Sequence, residues 1–160
     1  MSEKFIDGFE PIFSSNSKIL ILGSFPSVKS RQNGFYYGNP QNRFWSVLAE
    51  IYGEEKPTSN EDKLNFILKH NLALWDVATK SDIVGSLDSN LKNYEVANLE
   101  KILDFSKISF IICNGKKSYE IFSKHYDLPI KTYCLPSTSP ANVSFSIDKW
   151  KEVFEEILNG

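Results

Sequence analysis

Residues that bind metals or carry redox chemistry are scarce in this chain, which has two cysteines, two histidines and one methionine. Two cysteines make neither a disulfide framework nor a zinc site. Both sit in apolar runs, Cys113 in ISFIIC and Cys134 in KTYCL, and are expected to be buried, reduced thiols. His70 and His125 fall at or near predicted helix ends, with no Ser-His-Asp triad and no metal-ligand spacing around them. A Walker loop and a GxGxxG are also missing, so no cofactor is implied. GSLDS at 85–89 lacks the last glycine of a nucleophile elbow.

Long apolar runs are missing too. Nothing approaches the roughly 20 residues of a membrane-spanning helix. The start, MSEKFIDGFEPIF, is acidic and broken and has no apolar leader region. The expectation is a cytoplasmic, monomeric protein with no membrane partner. Excess positive charge is absent as well: 18 Lys and Arg stand against 20 Asp and Glu, a net charge of −2. That opposes strong nonspecific binding to nucleic acid, whose affinity comes mainly from phosphate neutralisation. A small basic patch is still allowed. Lys29, Arg31 and Arg43 flank one motif, and Lys80, Lys116 and Lys117 follow later strands.

What is present is an ordinary globular composition rich in aromatics, at 14% of 160 residues, which suits one domain over 1–160. Lys18–Leu22 reads as a buried strand before a Gly-Ser-Phe-Pro turn, and a long polar loop follows it. Phe44, Val47, Leu48 and Ile51 describe a helix ending at Gly53. A second helix, opened by Ser59 or Asn60, carries Leu64, Ile67 and Leu68. NLALWDV is a second strand, residues 79–93 a polar loop, and Leu99 to Phe105 a helix. ISFIIC is a third strand, Lys116–Tyr126 a helix and KTYCL a fourth strand. Trp150, Val153, Phe154, Ile157 and Leu158 close the chain with a helix. This alternation predicts an α/β fold, three-layer α/β/α, around a mostly parallel four-stranded sheet.

GSFPS, DVATKSD, CNGKK and PSTSPAN all follow strand C-termini, the edge where open parallel sheets bind ligands. Residues 35–42, FYYGNPQN, bring aromatic faces and amides to the mouth of the next helix. The pattern suits a flat polar heterocycle beside a phosphate.

Four blocks, LGSFPSVKS, FYYGNPQNRFW, ALWDV with GSLDSNL, and LPSTSPAN before an amphipathic last helix, occur in an order that resembles the uracil-DNA glycosylase superfamily. The resemblance is closest to its hypoxanthine-DNA (deoxyinosine) glycosylase family and covers nearly the whole chain from residue 18. It implies the same three-layer fold and an enzyme that cleaves N-glycosidic bonds in damaged DNA, double- or single-stranded. The superfamily's first motif usually places a water-positioning Asp or Asn where this chain has Phe25. The most efficient uracil enzymes add a histidine in the last motif, where this chain reads Pro136-Ser137-Thr138-Ser139-Pro140. The hypoxanthine family shares both absences, and the resemblance implies an asparagine of the second block in their place.

Deoxyinosine is therefore the expected substrate and hypoxanthine the product. Uracil or mismatched thymine, and an inactive base-binding module, are the alternatives. Asn42 is the expected water-positioning residue, with plain helix capping as its rival role. Asn39 is second, and an asparagine before proline commonly just makes a turn. Tyr37 aligns with the aromatic that stacks on a flipped base, against a core role; Tyr36 is the lesser choice. Ser24 and backbone amides around Phe25 and Ser27 approach the base or a phosphate, or merely form a turn. Asp76 meets the base edge or caps buried structure. Ser137, Thr138 and Ser139 offer hydroxyls to the DNA backbone, and Pro140, Ala141 and Asn142 continue the loop toward the vacated space. Asn114 with Lys116 forms either an anion site at a helix start or a simple turn. Ser86 and Ser89 mark the family without an assigned role.

Overall fold

The computed structural model describes residues 6–81 and 94–159. In chain order its elements are β1 (Ile6–Asp7), β2 (Ile19–Gly23), α1 (Val28–Asn33), α2 (Phe44–Tyr52), α3 (Asn60–Lys69), β3 (Leu72–Asp76) and β4 (Ala78–Ser81). Then follow β5 (Tyr94–Val96), α4 (Glu100–Leu103), β6 (Phe110–Asn114), α5 (Lys116–His125), β7 (Lys131–Leu135) and α6 (Asp148–Asn159).

Four strands form an all-parallel sheet in the order β3-β2-β6-β7. Every residue of β2 and β3 is buried. Side chains alternate faces along a strand, so such runs require cover on both sides. Helices provide it, giving the expected three-layer α/β/α fold. Aromatic contacts join α2 to α6, Phe44 with Trp150 and Tyr52 with Phe154. The chain passes from β2 to β3 on one side and then to β6 and β7 on the other. The connection reverses beside β2, and the crevice at such a reversal is where open sheets bind ligands.

Local chemistry explains the helix ends. The Ser59 hydroxyl caps α3 by accepting the Asp62 N–H, and Glu61 and Asp62 favour its positive N-terminus. α2 stops at Gly53, whose φ of 67° is left-handed.

Three expectations need correction. The polar loop after β2 contains α1, capped by the Ser27 hydroxyl and ended by Gly34 at φ 76°. Only Ser30 of that helix is buried, so it carries no apolar stripe to read. The loop assigned to 79–93 opens inside β4, which pairs antiparallel with β1 and β5 in a second, three-stranded sheet. Its remainder, with Ser86 and Ser89, lies outside the described residues. Cys113 is buried as expected, but Cys134 is exposed because β7 is the outer strand of the main sheet.

Candidate active site

Among the described residues, two hollows stand out. The larger, about 830 Å³, lies beside β1, β5 and α4 and is walled by Asp7, Glu10, Glu95, Glu100 and Asp104 against Lys80 and Lys101. A net negative wall disfavours a polyphosphate ligand. The second, about 540 Å³, collects residues from the C-terminal ends of all four parallel strands: Gly23, Asp76, Asn114 and, just past β7, Ser137. It is the switch-point crevice, and its volume is that of a small-molecule site.

The floor depends on a missing side chain. A Cβ on Gly23 would stand 2.5 Å from Asp76 Oδ1 and 2.9 Å from the Tyr37 hydroxyl. Only glycine lets the carboxylate and the phenol close over the end of β2. Asp76 is 5% exposed yet lines the cavity. Ser24, Phe25 and Pro26 continue the wall, and β2 is tied down by Val77 N–H to Gly23 O (2.8 Å) and Ala78 N–H to Ser24 O (3.0 Å).

Tyr37 is held in place by its neighbours. Trp45 Nε1 donates to Tyr36 O (3.0 Å), Gly38 N–H donates to Ser30 Oγ (2.9 Å), and Asn33 Nδ2 donates to Gly38 O. Pinned on both sides, Tyr37 adopts a φ of 52°, uncommon for a residue with a side chain. Its ring stacks on Phe44, centroids 4.0 Å apart and planes 23° apart, and also lines the cavity. Tyr36 is a core residue instead. Its hydroxyl donates to Glu10 O (2.7 Å), and burial, helped by the Asp76 charge, raises the phenol well above its ordinary pKa.

Asn39 and Asn42 both reach the cavity wall. Asn39 Oδ1 accepts the Gln41 N–H (2.9 Å) in an Asx turn, and its carbonyl oxygen accepts the Asn42 N–H (2.8 Å). Asn42 Oδ1 accepts the Phe44 N–H (2.9 Å). The helix starts at Phe44, with Arg43 at the N-cap position and the Asn42 amide supplying the acceptor. Capping and lining thus coexist: the bond fixes the amide, one carbonyl lone pair remains, and so do the amide hydrogens.

The 136–142 loop forms the opposite wall. Asn114 grips Thr138 twice, Nδ2 to Oγ1 and Thr138 N–H to Oδ1, both at 3.0 Å. Thr138 is only 1% exposed, so its hydroxyl serves the loop rather than a DNA phosphate. Ser137 Oγ accepts the Ser139 N–H and Ser139 Oγ the Ala141 N–H, each at 3.1 Å, which leaves each hydroxyl hydrogen to donate elsewhere. Asn142 Nδ2 donates to Ser137 O (3.0 Å) and Trp150 Nε1 to Pro136 O (2.8 Å). Arg43 crosses to this loop, with its N–H on Thr138 O (3.0 Å), Nη1 on Ser139 O (2.9 Å) and its guanidinium 5.0 Å from the Phe145 ring centre.

The same geometry separates the Asn114 side chain from Lys116. Asn114 spends both ends of its amide on Thr138, and Lys116 is exposed and not part of the cavity wall. Gly115 opens α5 at φ 102°, against Ser137. Sequence reading missed Gly23 and Ser30 as site-building residues. Gly23 was visible only as a turn glycine, and nothing local marks Ser30. Among the described residues no three His, Cys, Asp or Glu side chains gather to hold a metal, and no helix is long and apolar enough to cross a membrane.

A switch-point crevice lined by aromatic rings, by Asn39, Asn42, Asn114 and Asn142, and by a hydroxyl-bearing loop has the make-up of a small-molecule site on an α/β fold. Comparison with known proteins makes this specific. The sequence model of the Uracil DNA glycosylase superfamily matches residues 10–159, and the chain belongs to that superfamily. A Hypoxanthine DNA glycosylase of Methanosarcina acetivorans is 36% identical over 152 residues, 92% of this chain and 96% of that protein. One from Methanosarcina barkeri is 32% identical over 153 residues, 92% of this chain and 97% of its own length. The solution NMR structure of a proposed uracil DNA glycosylase from Methanosarcina acetivorans superposes with a TM-score of 0.83 at 33% identity, covering 96% of this chain and 98% of that one. The protein is thus a DNA glycosylase.

Proposed function

We propose that this glycosylase is monofunctional and hydrolyses the N-glycosidic bond of deoxyinosine in DNA, releasing hypoxanthine and leaving an abasic site for base excision repair. The supporting observation is the switch-point cavity, where Tyr37, Asn39 and Asn42 stand together while Phe25 fills the wall position that the superfamily usually gives to a water-positioning Asp or Asn. The names of the two Methanosarcina relatives point to the same base.

In this reading the damaged nucleotide leaves the stack, because its sugar is unreachable inside a duplex. Its base enters the cavity along Tyr37, and an aromatic face of this kind contributes about 1–3 kcal/mol per stacked base. Asp76 meets the edge of the base. The Ser137 and Ser139 hydroxyls donate to the backbone phosphates and fix register without reading sequence. As the bond from C1′ to the base breaks, the sugar gains cationic character and the base takes the electron pair. The Asn42 carbonyl oxygen orients a water toward C1′ and favours the cationic sugar; the water oxygen bonds to C1′ and the proton it loses is taken up by the departing base, directly or through solvent. An amide is no real base, so turnover is slow. Among the described residues on the cavity wall there is no lysine to form a Schiff base, which supports hydrolysis without strand cleavage.

Duplexes carrying inosine, uracil, thymine opposite guanine, or xanthine test the reading. Hypoxanthine release from the first, with intact strands before alkali, is expected. Preference for uracil or thymine replaces the substrate, and tight binding to damaged DNA with no released base makes the chain an inactive binding module.

A further inference from the structure

We propose that Arg43 is a positioning residue: it ties the loop carrying Ser137 and Ser139 to the segment carrying Asn42, so that DNA seated on the loop sets the asparagine's place in the cavity. The inference rests on the glycosylase reading of Asn42 given above.

Three contacts converge on this one residue. Its main-chain N–H holds Thr138 O and its Nη1 holds Ser139 O, while its guanidinium carbon lies over the Phe145 ring, 5.0 Å from the centre. Phe145 belongs to the same unit, since its N–H donates to Asn142 O (3.3 Å). On the other side Arg43 follows Asn42 directly, and the next N–H in the chain, that of Phe44, is the one Asn42 Oδ1 accepts. A displacement of the loop therefore reaches the Asn42 amide through a single peptide unit.

The placement of the charge supports a tether. Arg43 stands at the N-cap of α2, the end of a helix that disfavours a cation. Among the described residues no carboxylate forms an ion pair with it. Its charge is met by a loop carbonyl and an aromatic ring at once, a combination for which the broad, forked guanidinium is better suited than the compact point charge of an ammonium. With one nitrogen on Ser139 and its carbon over the Phe145 ring, the group is directed at the loop. A phosphate contact is the competing use of the same charge.

The test compares the full-length protein with Arg43→Gln and Arg43→Lys. Single-turnover cleavage of an inosine duplex reads positioning. The salt dependence of binding to the abasic product duplex reads phosphate contact. Hydrogen exchange at the amides of Thr138, Ser139, Ala141 and Asn142 in the free protein reads the tether without any activity. Expected are cleavage slowed by about a hundredfold in Arg43→Gln, a rate for Arg43→Lys nearer the glutamine variant than the parent, an unchanged salt slope and faster loop exchange. Unchanged cleavage or unchanged exchange overturns the proposal. So does a salt slope smaller by about 0.9, the signature of one lost phosphate contact on B-DNA. If the parent protein excises no base, the glycosylase reading fails on its own, and the exchange data still decide whether the tether exists. Should Arg43→Gln misfold, Phe145→Leu removes the aromatic face and leaves the hydrogen bonds; cleavage and exchange are expected to move in the same directions by less, and parental values overturn the proposal.

Discussion

Asn114 and Thr138 form a closed two-bond ring at the cavity wall, each donating to the other at 3.0 Å. The pair turns the end of β6 into the anchor of the loop after β7. Thr138→Val keeps the shape and strands a buried amide hydrogen. A loss of about 1–3 kcal/mol in unfolding free energy is expected, measured by urea denaturation. A Thr138→Val protein as stable as the parent would show that the ring is incidental.

Gly23 makes a sharper case. Gly23→Ala inserts a methyl group 2.5 Å from Asp76 Oδ1 and 2.9 Å from the Tyr37 hydroxyl. Overpacking of this kind costs about 1–3 kcal/mol. Because the displaced groups are those of the cavity floor, glycosylase activity is expected to be nearly abolished while the variant still folds at room temperature. Retained excision would place the reacting base elsewhere.

The two roles of Asn42 can be separated. Asn42→Ala removes the acceptor for the Phe44 N–H and is expected to cost about 1 kcal/mol of stability together with most turnover. Asn42→Ser restores a hydroxyl acceptor for the same N–H. Thermal unfolding of the serine variant should return toward the parent value while single-turnover cleavage stays low. Recovery of both would reduce Asn42 to a cap.

Alkali is the expected weakness of the fold. Burial pushes the Tyr126 phenol up to about 12, and burial also raises Tyr36 and Tyr52. A group whose pKa is higher folded than unfolded contributes stability that is complete below the unfolded value, about 10 for tyrosine, and that is lost as pH rises through the folded value. Stability should therefore fall from about pH 10 upward, with part of the phenolate absorbance appearing only as the chain unfolds. Smooth titration of every tyrosine near pH 10 in the folded protein contradicts this.

Much of the frame was legible because it rests on periodicity. β7 falls on the predicted Lys131–Leu135, α2 ends at Gly53, and Ser59 caps α3. The convergence of strand-end loops on one rim was also readable, since it follows from parallel pairing. What escaped was structure held by single polar bonds. α1 is made by Ser27 and Gly34 rather than by an apolar face, and β1, β4 and β5 are too short for alternation to register. At the site, Tyr37, Asn39 and Asn42 could be named in advance and all three line the cavity, but their partners were invisible. Nothing in the order of letters says that Asn114 would close on Thr138, or that Tyr37 would lean on Phe44.

The strand order has a mechanical consequence. Gly23 sits on β2, which pairs with a strand on each side, whereas the 136–142 loop hangs from β7, which has a neighbour in the sheet on one side only. One wall of the crevice is therefore braced by interior pairing, and the other is suspended from the margin. A load on the rim is therefore taken up first at that margin, and the wall built on Gly23 keeps its shape while the loop yields.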